Sequence, residues 1–421
     1  MAMNKKLQKW IMVFVMGTMV ITANAQDDFP PDFGGNMTDM PGDMNGKPGD
    51  GPGDESTQMG SVSKTGYQQT KGTKKWEGKT FTSAGTDENA VQVTGGKLTL
   101  TQTKVTKTGG DTENTDGSSF YGTNSAVYVS GNHTVVNMTG GEITTNAKGC
   151  NAGFAYDGGT LNLTDTKIHC TNNLSRGIHA TGGGIINANN LTILTEGNNS
   201  SVIATDRGGG TVTVKGGNYT AAGADCAVLY STGNITVDGI TGVSKQGEIG
   251  VIEGDNSIHI NNSDMTSGDK RWGMMILQSG SGDSHGYNGK ITVNHSKLTL
   301  TDPNAPLCEV PTNITGTVTL NDAELNVPSK ILMRVEYYKR WHTKGGTGNL
   351  ILKTDSEKTY EGTVVKDEYG ILNVTVGKGV TWILTADAAI DKLTVEPGGI
   401  IKTNGNHITY LTADNHGQII E

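Results

Sequence analysis

The side chains best placed to do chemistry are polar residues at the ends of short apolar runs: Asp157, His179, Asp206-Arg207, Tyr230, Glu253-Gly254-Asp255, Gln278 and Asp283. Arg176, Asp225 and Arg271-Trp272 come just ahead of their own runs. Asp206-Arg207 is the sharpest pair, because it abuts Gly208-Gly209-Gly210 and has little steric cover. Arginine grips a carboxylate or sulfate with two prongs. Arg271-Trp272, followed by a segment bearing Asp283, His285 and Tyr287, offers an aromatic face with polar neighbours, as sugar stacking requires. The candidate binding set is therefore Arg176, Asp206, Arg207, Tyr230, Arg271, Trp272, Gln278 and Asp283. If the chain is catalytic, Asp206, Arg207 and Glu253 are the candidates. Glycoside hydrolysis needs two carboxyls about 5–9.5 Å apart, and β-elimination on a uronic acid needs a base or charge neutraliser such as Arg207. Asp206, Glu253 and Asp255 are the candidate Ca²⁺ ligands, calcium taking about six to eight oxygens. The same residues also suit turns, where Asp bonds nearby backbone, or pairing between neighbouring coils. The sequence contains no zinc-type ligand spacing, nucleophile elbow or His/Asp/Ser order.

Bringing such distant residues together requires a repeating scaffold, and the chain has one. A short apolar strand, Gly or Asn, an alternating strand and a Thr/Asn/Gly-rich turn recur from Val91 to Leu332. One register runs Val91, Val127, Phe154, Ile178, Ile203, Leu229, Ile252 and Ile276, at intervals of 36, 27, 24, 25, 26, 23 and 24 residues. Self-similarity at this period marks a solenoid, and strand-plus-turn units without a helical pattern make it an all-β β-helix of about ten to twelve coils. Period-two alternation predicts an inner ladder of Leu161, Ile186, Val212, Ile235, Ile258, Ile291 and Val318. Its outward counterpart is Asn162, Asn187, Thr213, Thr236, His259, Thr292 and Thr319. Two coils carry insertions, Gly109 to Thr123 and Ser279 to Gly289, which should emerge on one face, often the binding face. Stacking puts Asp206, Glu253 and Asp255 on one side, roughly 5–15 Å apart.

Residues 1–25 read as a secretory signal: Lys5, Lys6 and Lys9, an apolar Trp10 to Val20, and Ala23-Asn24-Ala25 before Gln26. The apolar run is short for a membrane span, and no Cys follows it to carry a lipid, so no transmembrane anchor is expected after signal removal. The destination is secretion or the cell surface, with the periplasm as the other exported compartment. Losing those lysines takes the formal charge from −9 to −12, which disfavours nucleic acid as a partner. Residues 26–75 read as an acidic Gly/Pro/Asp/Met-rich disordered linker. Its 26–60 part holds eight acidic residues against Lys47 alone. The β-helix is expected over 76–421, its last coils capping the open end. Cys150 and Cys226 fall about three coils apart, near 14 Å at strand spacing and beyond bridging range, so buried free thiols are expected.

Several stretches resemble secreted bacterial right-handed parallel β-helix proteins of the pectate-lyase-like superfamily. They are similar in particular to its adhesin-like and carbohydrate-binding members. The stretches are Gly85-Thr86-Asp87-Glu88-Asn89-Ala90-Val91, Ser118-Ser119-Phe120-Tyr121-Gly122, Ala204 to Val212, and Gln278-Ser279-Gly280-Ser281-Gly282-Asp283. The resemblance implies a right-handed parallel β-helix over about residues 80–400. It also implies a polysaccharide or cell-surface glycan as partner, and calcium as the cofactor that similar members hold. Lyases of the superfamily gather several acids with a Lys or Arg on one sheet; the thinner cluster here favours binding or adhesion over a lyase or hydrolase of acidic glycans. Ice binding by outward Thr arrays fits poorly, because Asn162, His259, Lys215 and Asp238 interrupt the rows.

Overall fold

The computed structural model describes residues 59–338 and 345–421, and these form a right-handed parallel β-helix. The signal segment and the linker as far as residue 58 lie outside the described residues. Every strand pair is parallel, and the strands form three sheets, the smallest with four strands: Lys358–Glu361, Val380–Ile383, Ile400–Lys402 and Gln418–Ile420. A front sheet of 12 strands includes Val127–Ser130, Gly153–Tyr156, Ile178–Thr181, Ile203–Thr205, Leu229–Ser231, Gly250–Glu253 and Met274–Leu277. A back sheet of 22 strands contains two rows meeting at a bend. Among the described residues no helix is long and apolar enough to cross a membrane.

The back sheet follows the alternation of the sequence to the residue. Leu161, Ile186, Val212, Ile235, Ile258, Ile291 and Val318 pair in series and are buried. Each such side chain contributes about 1.5–3 kcal/mol when taken fully from water. The outward Asn162 to Thr319 ladder pairs in the same register, with Asn162 and Asn187 linked through their amides at 2.9 Å. Where the two back rows meet, one residue per coil takes a positive φ, among them Asp165 (49°), Asn190 (52°) and Asn262 (48°). Asn and Asp tolerate this conformation best among side-chain-bearing residues. Gly140 supplies the same bend at φ 65°. The N–H of each such residue donates to the next coil, as Asp165 to Asn189 O at 3.0 Å. The bend thus helps to fix the register. Cys150, Cys170, Cys226 and Cys308 are buried free thiols.

Three expectations need correction. In the front sheet, Phe154 pairs with Tyr128 and His179, not in line with Val127 and Ile178, and Ile252 pairs with Ser231 instead of Leu229. The in-line inner positions are Gly153 and Gly250. These short strands are apolar on both faces, so alternation does not specify which residue points inward. The solenoid also begins inside the expected 26–75 linker, since Ser61–Gln69 and Thr73–Glu77 already pair with later strands. Their polar faces hide the pattern, and their core is an aromatic group: Tyr67 lies 5.8 Å from Trp76 and 5.6 Å from Phe81. Finally, the terminal stretch continues the stack. Ile408–Asn415 adds one more parallel rung on Ala388–Val395, with Leu411 81% exposed. The polar Thr409, Thr412, Asp414 and Asn415 blunt that edge.

Candidate functional site on the outer face of the front sheet

The outward row of the front sheet reads Tyr128, Phe154, His179, Ala204, Tyr230, Val251 and Met275 by register. An outward row would ordinarily face solvent, but most of this one is buried. Both insertions cover it. The first forms a short helix, Thr115–Tyr121, opened by Asn114, whose side chain accepts from the Gly117 N–H, and closed by Gly122 at φ 71°. Thr181 Oγ1 donates to Phe120 O at 2.7 Å, fastening the helix end to the sheet. The second insertion is held by Gln278, whose Nε2 donates to Gly286 O at 3.0 Å and Ser284 O at 3.3 Å. The insertions meet at Arg207. Its guanidinium lies 3.8 Å over the Phe120 ring and donates from Nε and Nη2 to Asp283 Oδ1 at 3.1 and 2.6 Å.

Beneath Arg207 sits a row of carboxyls. Ala204 pairs with Tyr230 and Tyr230 with Val251, so Asp206 and Glu253 stand two rungs apart, about 10 Å at strand spacing. Asp206 is 4% exposed; its Oδ1 accepts from the Arg207 N–H at 2.9 Å. Arg176 Nη2 lies 3.7 Å and His179 Nε2 3.9 Å from Oδ2. Burial pushes the Asp206 carboxyl up to about 7; the charges of Asp283 and Glu253 add to this, and Arg176 opposes it. Glu253 is raised too, chiefly by burial, and accepts from Tyr230 Oη at 3.3 Å and from Ser279 Oγ. Ser281 Oγ bridges, 3.2 Å from Glu253 Oε1 and 3.0 Å from Asp283 Oδ2. Arg176 donates from Nη1 to Ser119 Oγ at 2.8 Å. The wall therefore offers two acids held toward their neutral forms, a half-buried cation, hydroxyls, and one guanidinium whose side chain is 33% exposed at the mouth.

Arg271 and Trp272 belong to a different cluster on this face. Arg271 donates to Asp269 Oδ1 from Nε at 3.0 Å and to Asp269 Oδ2 from Nη2 at 2.6 Å; Nη2 also lies 2.8 Å from Asp225 and 3.3 Å from Glu248. Burial pulls the Arg271 pKa down, but its hydrogen bonds to Asp269 and the surrounding charges outweigh it, leaving a net rise. Trp272 is 2% exposed, donates Nε1 to Glu248 at 3.0 Å, and meets Tyr338 edge-on at 5.5 Å. Its ring is not presented to solvent as a sugar platform.

The expected calcium ligands do not assemble. Asp206 and Glu253 are buried and pushed toward protonation, whereas Asp255 is exposed on a turn where its N–H donates to His285 O at 2.8 Å. Asp206 and Glu253 stand two rungs apart, and the three carboxylates do not converge on one point as an oxygen cage requires. Among the described residues, the ligand atoms that converge are those of His295, Asp322 and Asp355, all within 4.8 Å. His295 Nε2 lies 3.0 Å from Asp355 Oδ2, and both His295 and Asp322 are bend residues with positive φ. His295 and Asp322 also line a groove of about 500 Å³ with Lys297, Glu324 and Lys358. Sequence reasoning missed this group, although the one-residue bend repeating along the back sheet was the signal for it. It also missed Ser119, Phe120, Ser279 and Ser281 as members of the wall, whereas His179 was among the polar residues at strand ends. Comparison with family models, with curated proteins and with solved structures finds no match for this chain.

Proposed function

We propose that this chain is an exported or surface-associated β-helix that binds carbohydrate, as an adhesin does, on the outer face of its front sheet. One observation carries the reading: insertions from two distant coils converge to hold Arg207 between Phe120 and Asp283, above the buried Asp206 and Glu253 and the half-buried Tyr230 and Arg176. A planar cation fixed on an aromatic face, beside a carboxylate and serine hydroxyls, presents the donors and acceptors that polyols need at low ordering cost. The test is incubation with a panel of uronates, pectins and neutral glycans, with and without calcium, scoring retention and new reducing or unsaturated ends. The expected result is retention without product, weakened at least about tenfold in Arg207→Ala, a loss of about 1.4 kcal/mol. Equal retention by wild type and Arg207→Ala, or no retention at all, overturns the reading.

A hydrolytic reading has its own support. Asp206 is pushed up to about 7, so a large share carries a proton near neutrality, as a general acid requires, and Glu253 stands on the same wall. New reducing ends that vanish in Asp206→Asn would establish it. A lyase with Arg207 as base is less suited, because the hydrogen bonds it donates to Asp283 offset burial and raise the guanidinium pKa.

A further inference from the structure

His179 is 0% exposed, and its Nε2 has no hydrogen-bond partner among the described residues. The other ring nitrogen defines its state. Nδ1 lies 3.3 Å from Asn151 Oδ1, while Asn151 Nδ2 donates to Ser118 O at 3.0 Å. That arrangement turns the amide oxygen toward the ring, so Nδ1 carries the proton and Nε2 is a bare lone pair. Burial, reinforced by Arg176, keeps the imidazole neutral. Phe154 closes one side edge-on at 5.1 Å. The lone pair looks onto Asp206 Oδ2 at 3.9 Å, and the donor Arg176 Nη2 is 3.7 Å from that same oxygen. Neither separation is a hydrogen bond, but both are spans that one shared oxygen closes.

We propose that His179 Nε2, Asp206 Oδ2 and Arg176 Nη2 enclose a site for a single oxygen, filled by water in the free protein and by a ligand hydroxyl when carbohydrate is bound. Water there donates to both acceptors and accepts from the guanidinium, making about three bonds, as buried waters do. A hydroxyl has only one proton; it donates that to His179 and accepts from Arg176 and from Asp206 in its acid form. The hydroxyl half of the proposal rests on the carbohydrate reading, whereas the water half stands on the geometry of the wall alone.

The experiment is a crystal structure of the full chain showing ordered solvent, with ¹⁵N NMR of its histidines. An oxygen within about 3 Å of all three atoms, beside an unprotonated Nε2, is expected. In His179→Phe, whose ring has precedents at Phe154 and Tyr128 in the same row, that oxygen should be lost. Direct contact of Nε2 with Asp206 and no intervening oxygen, or a protonated Nε2, overturns the proposal. His179→Phe is then compared with wild type on whichever polysaccharide is retained, where about a tenfold loss is expected. Unchanged retention removes the hydroxyl half and leaves the water. Retention of nothing removes it together with the carbohydrate reading, and the crystal still decides the rest.

Discussion

The two charge clusters on the outer face of the front sheet are built in opposite ways. Arg271 is ringed by Asp225, Glu248 and Asp269 and closed over by Trp272, one cation serving three carboxylates. Asp206 and Glu253, by contrast, are met mostly by hydroxyls and a backbone amide; Arg176 stands off at 3.7 Å and Arg207 is partly exposed. A cation with three carboxylate partners marks the first cluster as scaffold, although Glu248 Oε2 has no hydrogen-bond partner among the described residues and burial raises that carboxyl to about 7. Long gaps and a bare lone pair mark the second as one that a ligand can complete. Sequence spacing placed both sets in the same binding category, and the number of carboxylates gathered on one cation separates them.

The largest effect that can break this comparison is loss of the saturated cation. Arg271→Ala strands three carboxylates in a poorly solvated position, and removing one partner of a buried pair costs about 3–5 kcal/mol. Thermal unfolding should fall accordingly, while glycan retention by the folded fraction stays unchanged. A loss below about 1 kcal/mol would mean that the Arg271 cluster is no more structural than a surface pair.

A smaller effect comes from the acid side. The Asp206 pKa rises from 3.8 unfolded to about 7 in the fold. The folded state therefore holds the extra proton between those values, and ∂ΔG_unfold/∂pH is negative there. The stability that Asp206 contributes is complete below the unfolded pKa and is lost as pH rises through about 7. The slope is about 1.4 kcal/mol per pH unit for one proton. Denaturant midpoints measured from pH 4 to 8 should fall less steeply in Asp206→Asn than in wild type. Parallel profiles would show that Asp206 is ionised in the fold.

How much of this was legible in the sequence depends on which wall carries the signal. The back sheet alternates strictly, so Leu161 to Val318 and Asn162 to Thr319 were readable to the residue. The front strands read Val127-Tyr128-Val129, Gly153-Phe154-Ala155 and Met274-Met275-Ile276, apolar on both faces; outside the last lies a second core of Ala227, Val251, Trp272, Met275 and Leu277. Periodicity cannot choose a register in such strands. Arg176, Asp206, Arg207, Tyr230, Glu253 and Asp283 were identified as polar interruptions, and stacking brought them together. Arg271 and Trp272 were identified by the same signal, which does not say whether a charge already has partners. The helix Thr115–Tyr121 is too short to show a 3.6-residue pattern; its local cue was Asn114, a side chain suited to opening a helix.

The smallest effect, at Phe120, sharpens the comparison most. Phe120 sits under the Arg207 guanidinium at 3.8 Å, a contact worth about 0.5–1 kcal/mol where solvent reaches it. Phe120→Leu keeps most of the apolar volume, so stability should change by less than about 1.5 kcal/mol. The guanidinium loses its flat support, however, and pivots on Asp283 alone. If the wall binds by presenting a fixed Arg207, retention should fall several-fold, with Tm nearly constant and no response at the Arg271 cluster. If Phe120→Leu costs stability and retention in proportion, the ring acts only as packing, and Arg207 belongs with Arg271 among the structural cations.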